Sequence, residues 1–403
     1  MNILWIPNFC PFPPNNGGKV VIYNRILQVS KKHNIFLVTE EDEETVKNLS
    51  DYASLVCKEF IIVPKEKKST IMKMLNILKT SRNVEKYRNK NITREVEKII
   101  KREKIDLINI DLPMPIINLL DIQNLLENIP IIVNQHNIEF NNVRSKMKAN
   151  GVSLPMKIYA GLESTLLYKW ERSIYSKGII SAQSFVSPED LASFKTIFGI
   201  GNDVELLCSP IGVDPIDYKE HKFQHTSIVF VASFDYPPNI HGAIWFVDKV
   251  FPLICEQIPN AQLYLVGRNP HESIEARKAK NIHVTGTVDS VIPYCEMADI
   301  FVVPVFLGGG VKTKLIEAGI FGKPIVATSL GAYGTEYKHL EDIFITDKER
   351  EFADYCITLL ENPENYQEVC NRLRAKTERL YLWDSIGRQY ITFLERNANK
   401  IIV

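Results

Sequence analysis

Paired cysteines, long apolar runs and an excess of charge of either sign are all missing from this sequence of 403 residues. Its seven cysteines include no C-x-x-C pair, so neither a zinc site nor a disulfide framework is expected. No apolar stretch approaches the ~20 residues that span a bilayer, and the start MNILWIPNFCPFPPNN reads as a strand and a loop rather than a signal peptide. The 48 basic and 48 acidic residues balance, which gives no signal for nucleic acid. We therefore expect a cytoplasmic protein without a nucleic-acid partner.

Common nucleotide-binding and metal-binding signatures are missing as well. No G-x-G-x-x-G follows a predicted first strand, and G-x-x-x-x-G-K-[ST] does not occur. This argues against a dinucleotide-dependent dehydrogenase and against a P-loop NTPase. No D-x-D motif occurs either, so we expect neither a metal-bridged diphosphate nor a resident cofactor.

What the sequence does have is an alternation of short apolar runs with helical patterns. Apolar runs joined by helices predict parallel sheets that are covered on both faces. The runs form two sets, separated by the polar, proline-bearing segment Cys208–His225, so we predict two doubly wound α/β domains. The predicted bounds are 1–208 with 383–403 for the first domain, 209–225 for a linker and 226–382 for the second domain. The final helix, from about Trp383 to Asn397, fits either domain by periodicity alone.

Seven further helical patterns precede this final helix in the sequence. They cover Gly18–Lys32, Thr93–Glu103, Ile116–Leu126, Leu154–Ser176, Ile240–Ile258, Val311–Phe321 and Asp347–Leu360.

The segment FLGGGVKTKLIEAGIF (306–321) places three glycines between a predicted strand and a predicted helix. In open α/β sheets ligands bind at the carboxyl ends of strands, and helix N-termini attract phosphates. Val311, Leu315 and Ala318 would form the buried stripe of the helix, which leaves Lys314 and Glu317 on another face. A lysine there suits a diphosphate, and a glutamate there suits ribose hydroxyls. The alternative is a solvated i, i+3 ion pair.

The second half of the chain resembles the nucleotide-binding domain of the GT-B glycosyltransferases, in particular the retaining family 4 (group 1). The matching segments are SFDYPPNIHGAIWFVDKVFPLI, AQLYLVGRNP, NIHVTGTVDSVIPYCEMADIFVVPV, GGGVKTKLIEAG and GKPIVAT. In the first half, FPPNNGGKVVIYNRIL and NQHNIEFNNVRS are similar to the family's Gly-Gly loop and to its His-bearing segment. The resemblance implies the GT-B fold, with two Rossmann-like domains that face a central cleft, and a UDP- or GDP-sugar donor.

The resemblance also assigns roles around the glycine loop, with two departures from the family pattern. Glu317 takes the place of the glutamate on the ribose, but the family's other glutamate, eight residues earlier, is Gly309 here. The N–H groups of Gly309 and Gly310 would then hold sugar hydroxyls. Ser233 and Asn239 stand where the family commonly has an Arg and a Lys for the diphosphate.

We infer that Lys314 supplies this missing charge, because a diphosphate without a cation is costly to bury.

Further candidate residues come from four other segments. His136 follows a predicted strand and by resemblance lies near the transferred sugar; the alternative is a histidine that caps the next helix. Gly17 and Gly18 would let the first loop approach the phosphate and the acceptor, or they form an ordinary Asn-Asn-Gly-Gly turn. Val288 would offer backbone contacts to the base, or it only starts a helix. Arg268 either lines the cleft or is a surface arginine.

The implied activity is a retaining, metal-independent transfer of a sugar to a glycan or lipid-linked acceptor, in bacterial surface polysaccharide assembly. Lys314 and the helix N-terminus would stabilise the leaving diphosphate. Two other functions remain open at this point. One is a GT-B-fold nucleotide-sugar epimerase, and the other is a non-catalytic nucleotide-sugar binding protein, which the missing cations favour.

The segment Lys65–Lys104 is rich in lysine and arginine, and TIMKMLNILK within it is apolar on much of its circumference. Such a segment could lie on an anionic leaflet at the inner face of the plasma membrane, where each cation contributes about 1 kcal/mol. The alternative is a solvated, lysine-rich helix.

Overall fold

The computed structural model describes residues 1–14, 17–41, 49–66, 80–145, 153–199, 204–216 and 226–400. The chain divides into two compact units, Met1–Pro210 with Trp383–Val403 and Ile211–Leu382. The second unit thus begins inside the segment 209–225 that the sequence predicts as a linker; residues 217–225 of that segment lie outside the described ranges.

The described part of the first unit is built on a sheet of seven parallel strands in the order β3-β2-β1-β4-β5-β6-β7. The central strands are buried along their length, as expected for a sheet with helices on both faces. The strands are β1 (Asn2–Ile6), β2 (Asn34–Glu41), β3 (Glu59–Pro64), β4 (Leu107–Asp111), β5 (Ile131–Gln135), β6 (Ala182–Phe185) and β7 (Glu205–Cys208). The helices are α1 (Gly17–Ser30), α2 (Ser50–Ser54), α3 (Arg82–Glu85), α4 (Lys90–Arg102), α5 (Glu139–Ser145), α6 (Leu154–Ser176) and α7 (Pro188–Phe198).

The second unit is built on six parallel strands, in the order β10-β9-β8-β11-β12-β13 within its described residues. The reversal of strand order lies between β8 and β11, which are paired neighbours, so their carboxyl ends mark the topological switch point where ligands usually bind. The strands are β8 (Ser227–Val231), β9 (Gln262–Val266), β10 (Ile282–Gly286), β11 (Ile300–Val303), β12 (Ile325–Ala327) and β13 (Phe344–Ile345). The helices are α8 (Pro237–Trp245), α9 (Phe251–Gln257), α10 (Glu272–Glu275), α11 (Ile292–Met297), α12 (Thr313–Ile320), α13 (Ser329–Ala332), α14 (Glu349–Glu361) and α15 (Gln367–Tyr381).

The last helix, α16 (Trp383–Ala398), packs in the first unit, which resolves the choice that periodicity left open. It lies against α1, and its contact is close because a Cβ added at Gly387 would come within 2.7 Å of the Gln28 side chain. Its buried face includes Tyr390 and Phe393, which share a core with Ile22 and Ile26 of α1. The chain therefore completes the first unit only after it has built the second.

Two predicted helices are divided into shorter elements in the structure. The segment Ile116–Leu126 lies in two short 3-10 helices, Met114–Asn118 and Leu120–Leu125, and Ile122 in the second departs from helical backbone angles. The segment Ile240–Ile258 is α8, a π-helical turn at Phe246–Val250 and α9.

The π-helical turn lies just before Pro252 of α9, which has no N–H to continue an α-helical ladder. None of the helices in the described ranges combines the length and apolar character that crossing a membrane requires.

The described residues include only part of the basic segment Lys65–Lys104. Its apolar portion, TIMKMLNILK, lies outside the described residues. In the described portion, cations of α4 pair with nearby carboxylates: Lys98 with Glu95 at 2.8 Å and Lys101 with Glu97 at 2.6 Å. Contact with a membrane through this segment stays a prediction.

Candidate active site

The glycine loop between β11 and α12 is held from within by Lys312. The Lys312 amine donates to the carbonyl of Gly309 at 3.0 Å and to that of Gly310 at 2.8 Å, and the side chain is buried. Since C=O and N–H point in opposite directions across a trans peptide, the N–H groups of Gly310 and Val311 are turned away from this amine. Gly310 has a positive φ of 71°, which an L-residue with a Cβ adopts only at a cost.

With Lys312 bonded to the carbonyls of Gly309 and Gly310, helix α12 begins two residues later than the predicted helix Val311–Phe321. α12 begins at Thr313, with Lys312 in extended backbone geometry as its N-cap residue. The carbonyl of Gly310 would accept the first hydrogen bond of a helix that began at Val311, but here the carbonyls of Gly309 and Gly310 both accept from the Lys312 side chain. Lys314 consequently lies in the first turn of the helix, where the N-terminal end of the helix dipole favours an anion.

Lys314 contacts one of the two positions at which this chain lacks the cation of the family pattern. Its amine donates to Asn239 Oδ1 at 2.5 Å and lies 5.7 Å from the centre of the Phe230 ring. The buried Asn239 in turn donates through Nδ2 to the backbone carbonyl of Ser233 at 2.8 Å. Lys314, Asn239 and Ser233 are therefore brought together near the carboxyl end of β8.

The other cation-free position, Ser233, is contacted by an arginine from the neighbouring strand. Arg268 follows β9, and its Nε donates to Ser233 Oγ at 2.8 Å. The same hydroxyl donates to Asp235 Oδ1 at 2.8 Å, and Asn269 donates to the other oxygen of that carboxylate at 3.2 Å. Each position that carries an Arg or a Lys in the resembling family is thus reached here by a cation from a different segment.

Helix α8 packs closely against the end of β11 and against the glycine loop. A Cβ added at Gly242 would lie 2.2 Å from the carbonyl oxygen of Pro304, so only glycine lets α8 approach the end of β11. The glycine loop makes a second close contact with the start of α8, because a Cβ added at Gly308 would lie 3.3 Å from both Pro238 Cγ and the Tyr236 hydroxyl. These contacts place Asn239 beside the helix that carries Lys314.

The pKa values of Lys312 and Lys314 are both lowered towards neutral pH. Burial lowers the pKa of Lys314 to about 8; the positive charge of Lys312 acts in the same direction, and the Glu317 carboxylate opposes it. Burial alone lowers the pKa of Lys312 to about 8. Such shifts mean that both ammonium groups lack the solvation they would have in water, so an anion placed beside them would restore their usual pKa.

Glu317 lies on the same helix as Lys314, yet no ion pair joins the two within the described part of the chain. Its side chain is open to solvent, although the surrounding protein raises the pKa of its carboxyl and Lys314 lowers it. The interpretation of Lys314 and Glu317 as a simple surface pair therefore does not describe this helix.

Val288 follows the end of β10, half-buried and outside any helix, since α11 begins at Ile292.

In the first unit, His136 directly follows β5 and its ring is held by a buried carboxylate. The His136 Nε2 atom lies 3.3 Å from Oδ1 of Asp111, the last residue of β4. Gly17 and Gly18 form the first turn of α1 rather than a separate turn. Among the described residues, none has an atom within 4 Å of a Cβ added at Gly17.

Sequence reasoning missed two residues of these clusters. Lys312 holds the backbone geometry of the glycine loop, and the only signal for it was the first lysine of VKTK, two residues before Lys314. Asp111 is the last residue of an apolar strand, and nothing in that run of sequence indicates that its carboxylate contacts His136.

Comparison with known proteins bears on the same segments. The family model of the glycosyl transferases group 1 matches residues 225–362, which include β8 to β13, the glycine loop, Lys314 and Glu317. An uncharacterised 44.6 kDa protein in the cps region of Klebsiella pneumoniae is 24% identical over 381 residues, 91% of this chain and 93% of that protein.

Solved structures are similar over nearly the full length. Sucrose-phosphate synthase from Thermosynechococcus elongatus superposes with a TM-score of 0.68 at 14% identity, covering 98% of this chain and 99% of the other. Anabaena HepE, solved in complex with UDP and glucose, superposes with a TM-score of 0.63 at 12% identity, covering 98% and 100%.

These likenesses confirm the fold and the enzyme class expected from the sequence, while membership of family 4 in particular stays a prediction. The chain is a glycosyltransferase with the GT-B fold, and its residues 225–362 match the group 1 glycosyl transferases.

Proposed function

We propose that the chain is a retaining, metal-independent glycosyltransferase that moves a sugar from a UDP- or GDP-sugar to a glycan or lipid-linked acceptor. The observation that carries the proposal is the contact between Lys314 and Asn239 at the carboxyl end of β8, beside a glycine loop and a helix N-terminus. A partly desolvated ammonium at a helix N-terminus is a site for a phosphate group.

The diphosphate is the part of the donor that this cluster fits best. Lys314 would pair with it, with Arg268 as a second cation at Ser233. Breaking the bond between sugar and diphosphate places negative charge on the leaving oxygen, which preorganised cations and N–H groups stabilise. In our proposal these groups of the chain do the work that a metal ion does in metal-dependent transferases, so no cofactor is needed.

The remaining contacts follow from the family resemblance. Glu317 would accept hydrogen bonds from the ribose hydroxyls, and Val288 would offer its backbone to the base. Gly309 and Gly310 would contact the sugar or phosphate through N–H groups. In the first unit, Gly17 and Gly18 would contact phosphate and acceptor, and His136 would contact the transferred sugar. Retention of anomeric configuration follows if the acceptor attacks from the face that the diphosphate leaves.

Two relatives support the biological setting. HepE was crystallised with UDP and glucose, and UDP is one of the two donor nucleotides in our proposal. The Klebsiella relative is a protein of the cps region, which supports a role in surface polysaccharide assembly. We further propose a cytoplasmic location, with peripheral contact to the inner leaflet through Lys65–Lys104.

The binding part is tested by calorimetric titration of UDP, GDP, uridine and guanosine into the wild type and Lys314→Met. We expect one nucleoside diphosphate to bind, and Lys314→Met to weaken it by about 10- to 100-fold, because a hydrogen bond to a charged group contributes about 1.5–3 kcal/mol. Uridine or guanosine binding should change little. The matched control is Lys280→Met, an exposed lysine just before β10 at the opposite edge of the same sheet. If the wild type and Lys314→Met bound the nucleoside diphosphate with equal affinity, the proposed contact between Lys314 and phosphate would be refuted.

The catalytic part is tested by incubating the enzyme with the donor that binds, with and without a cell-envelope acceptor extract, in the presence of EDTA. Transfer that needs the acceptor and keeps the anomeric configuration, read by NMR coupling constants, is the expected result. Conversion of the donor to an isomer without acceptor would indicate the epimerase instead. Binding without turnover would indicate a nucleotide-sugar binding protein, and loss of activity with EDTA would refute metal independence.

A further inference from the structure

A buried hydrogen-bond network surrounds Asp111 in the first unit. The side chain of Asp111 is fully buried, and one of its oxygens, Oδ2, accepts from the Trp5 indole Nε1 at 2.7 Å. The other oxygen, Oδ1, lies 3.1 Å from Asn134 Nδ2 and 3.3 Å from His136 Nε2. A buried carboxylate is tolerated when donors surround it, and three donors do so here.

The orientation of the Asn134 amide is fixed by hydroxyl groups from two other elements. Its Oδ1 lies 2.6 Å from Ser184 Oγ in β6 and 2.7 Å from the Tyr390 hydroxyl in α16. Both hydroxyls can donate to that oxygen, so the Nδ2 group of Asn134 must face Asp111. The Tyr390 hydroxyl also lies 2.9 Å from Asn109 Oδ1, which ties α16 to β4 as well.

This arrangement decides which nitrogen of His136 carries the proton in the neutral ring. Asp111 Oδ1 is an acceptor, and so His136 Nε2 must be the donor of their hydrogen bond. The other nitrogen, Nδ1, is then an acceptor. An alternative with Nδ1–H would set the Nε2 lone pair against a carboxylate oxygen, which is repulsive.

We propose that Asp111 is a positioning residue that holds His136 as the Nε2–H tautomer, so that Nδ1 accepts a hydrogen bond from a sugar hydroxyl of the donor or acceptor. Tyr390 of α16 supports this geometry, because its hydroxyl holds the Asn134 amide that contacts Asp111. The tautomer stands on the contacts of the first unit alone, whereas the sugar contact rests on the proposed function.

The tautomer is measured by ¹⁵N NMR of the full-length protein labelled on histidine, at alkaline pH, where imidazole rings are neutral. His136→Gln assigns the signals. We expect the His136 pair to show a protonated Nε2 and an unprotonated Nδ1. In Asp111→Ala both signals should move towards the averaged positions of a ring that exchanges tautomers, while the exposed control Asp121→Ala leaves them unchanged. A protonated Nδ1 in the wild type would overturn the proposal, as would an unchanged pair in Asp111→Ala.

A second variant covers the case in which Asp111→Ala does not fold. Tyr390→Phe keeps the ring and removes only the hydroxyl, so we expect a smaller shift of the His136 signals in the same direction; no shift at all would show that Tyr390 does not support the geometry of Asp111 and His136. The wild-type spectrum decides the tautomer without any variant. In the transfer assay, Asp111→Ala should lower turnover and leave UDP or GDP affinity unchanged, since neither ligand carries the sugar. If the wild type binds no nucleotide, the proposed function fails while the spectrum still decides the tautomer.

Discussion

The affinity for a nucleoside diphosphate should fall as the pH rises through about 8. The pKa of Lys314 is lowered to about 8 by burial. An anion beside the amine restores the ordinary value of about 10.4, so only the protonated form binds well. At pH 7 about nine tenths of Lys314 is protonated, and at pH 8.5 about one quarter is, which predicts about fourfold weaker binding of UDP or GDP at pH 8.5.

Calorimetric titration measures this in two ways. The dissociation constant gives the fourfold change, and the dependence of the heat on the ionisation enthalpy of the buffer gives the protons taken up. We expect about three quarters of a proton per nucleotide at pH 8.5 and about one tenth at pH 7. The range stays below the pH at which the nucleobase ionises, and the matching nucleoside serves as a control for that ionisation.

The decisive control is Lys314→Arg, because a guanidinium stays protonated at both pH values. Binding to this variant should depend on pH no more than the nucleoside control does. If the variant kept the fourfold change, another group would be its source, and Lys312, with its own pKa of about 8, would be the first to examine. If the wild type bound equally at both pH values, the reasoning from the buried amine to a phosphate contact would be refuted.

Three further predictions concern the second unit. Glu317→Gln should weaken UDP and uridine, or GDP and guanosine, by equal factors in a titration, because a ribose contact is common to both; a loss confined to the diphosphate would contradict the ribose role. Gly242→Ala should lower the free energy of unfolding by about 1–3 kcal/mol in urea denaturation, since its Cβ would lie 2.2 Å from the Pro304 oxygen. Gly17→Ala, whose added Cβ has no atom of the described residues within 4 Å, is the control that should show no such loss. Lys323 donates to the carbonyls of residues 295, 296 and 298, and burial lowers its pKa to about 8. The unfolded chain therefore binds more protons between pH 8 and about 10.4, so the free energy of unfolding should rise with pH there, and Lys323→Met should remove this part of the rise.

Much of the fold could be predicted from the sequence, because buried parallel strands appear as apolar runs that need no tertiary information. The pattern for Leu154–Ser176 gives the observed bounds of α6. The last strand of the first sheet was harder to predict: β7 has half-buried residues throughout, and its run ELLC is too short to stand out. The π-helical turn just before Pro252 shows how a residue without an N–H interrupts a helical pattern.

The candidate site could be predicted only in part, for a reason that Lys312 and Lys314 illustrate. They are two residues apart in the sequence and chemically identical. One amine turns inward to carbonyls of its own loop, and the other reaches Asn239, 75 residues away in the chain. Which lysine does which depends on Gly242 letting α8 come close to β11, and no local pattern encodes that approach.

The return of α16 to the first unit has a consequence for synthesis on the ribosome. Unit 2, Ile211–Leu382, is continuous in sequence and can close its core as soon as it has emerged. The sheet of the first unit is made earlier, yet its partner helix is made last, so α1 exposes the apolar surface that α16 will cover during the whole translation of unit 2. At about 5–20 residues per second this interval lasts on the order of ten seconds or more. Chaperone binding to nascent chains should therefore peak while unit 2 is being translated and should end when residue 390 emerges.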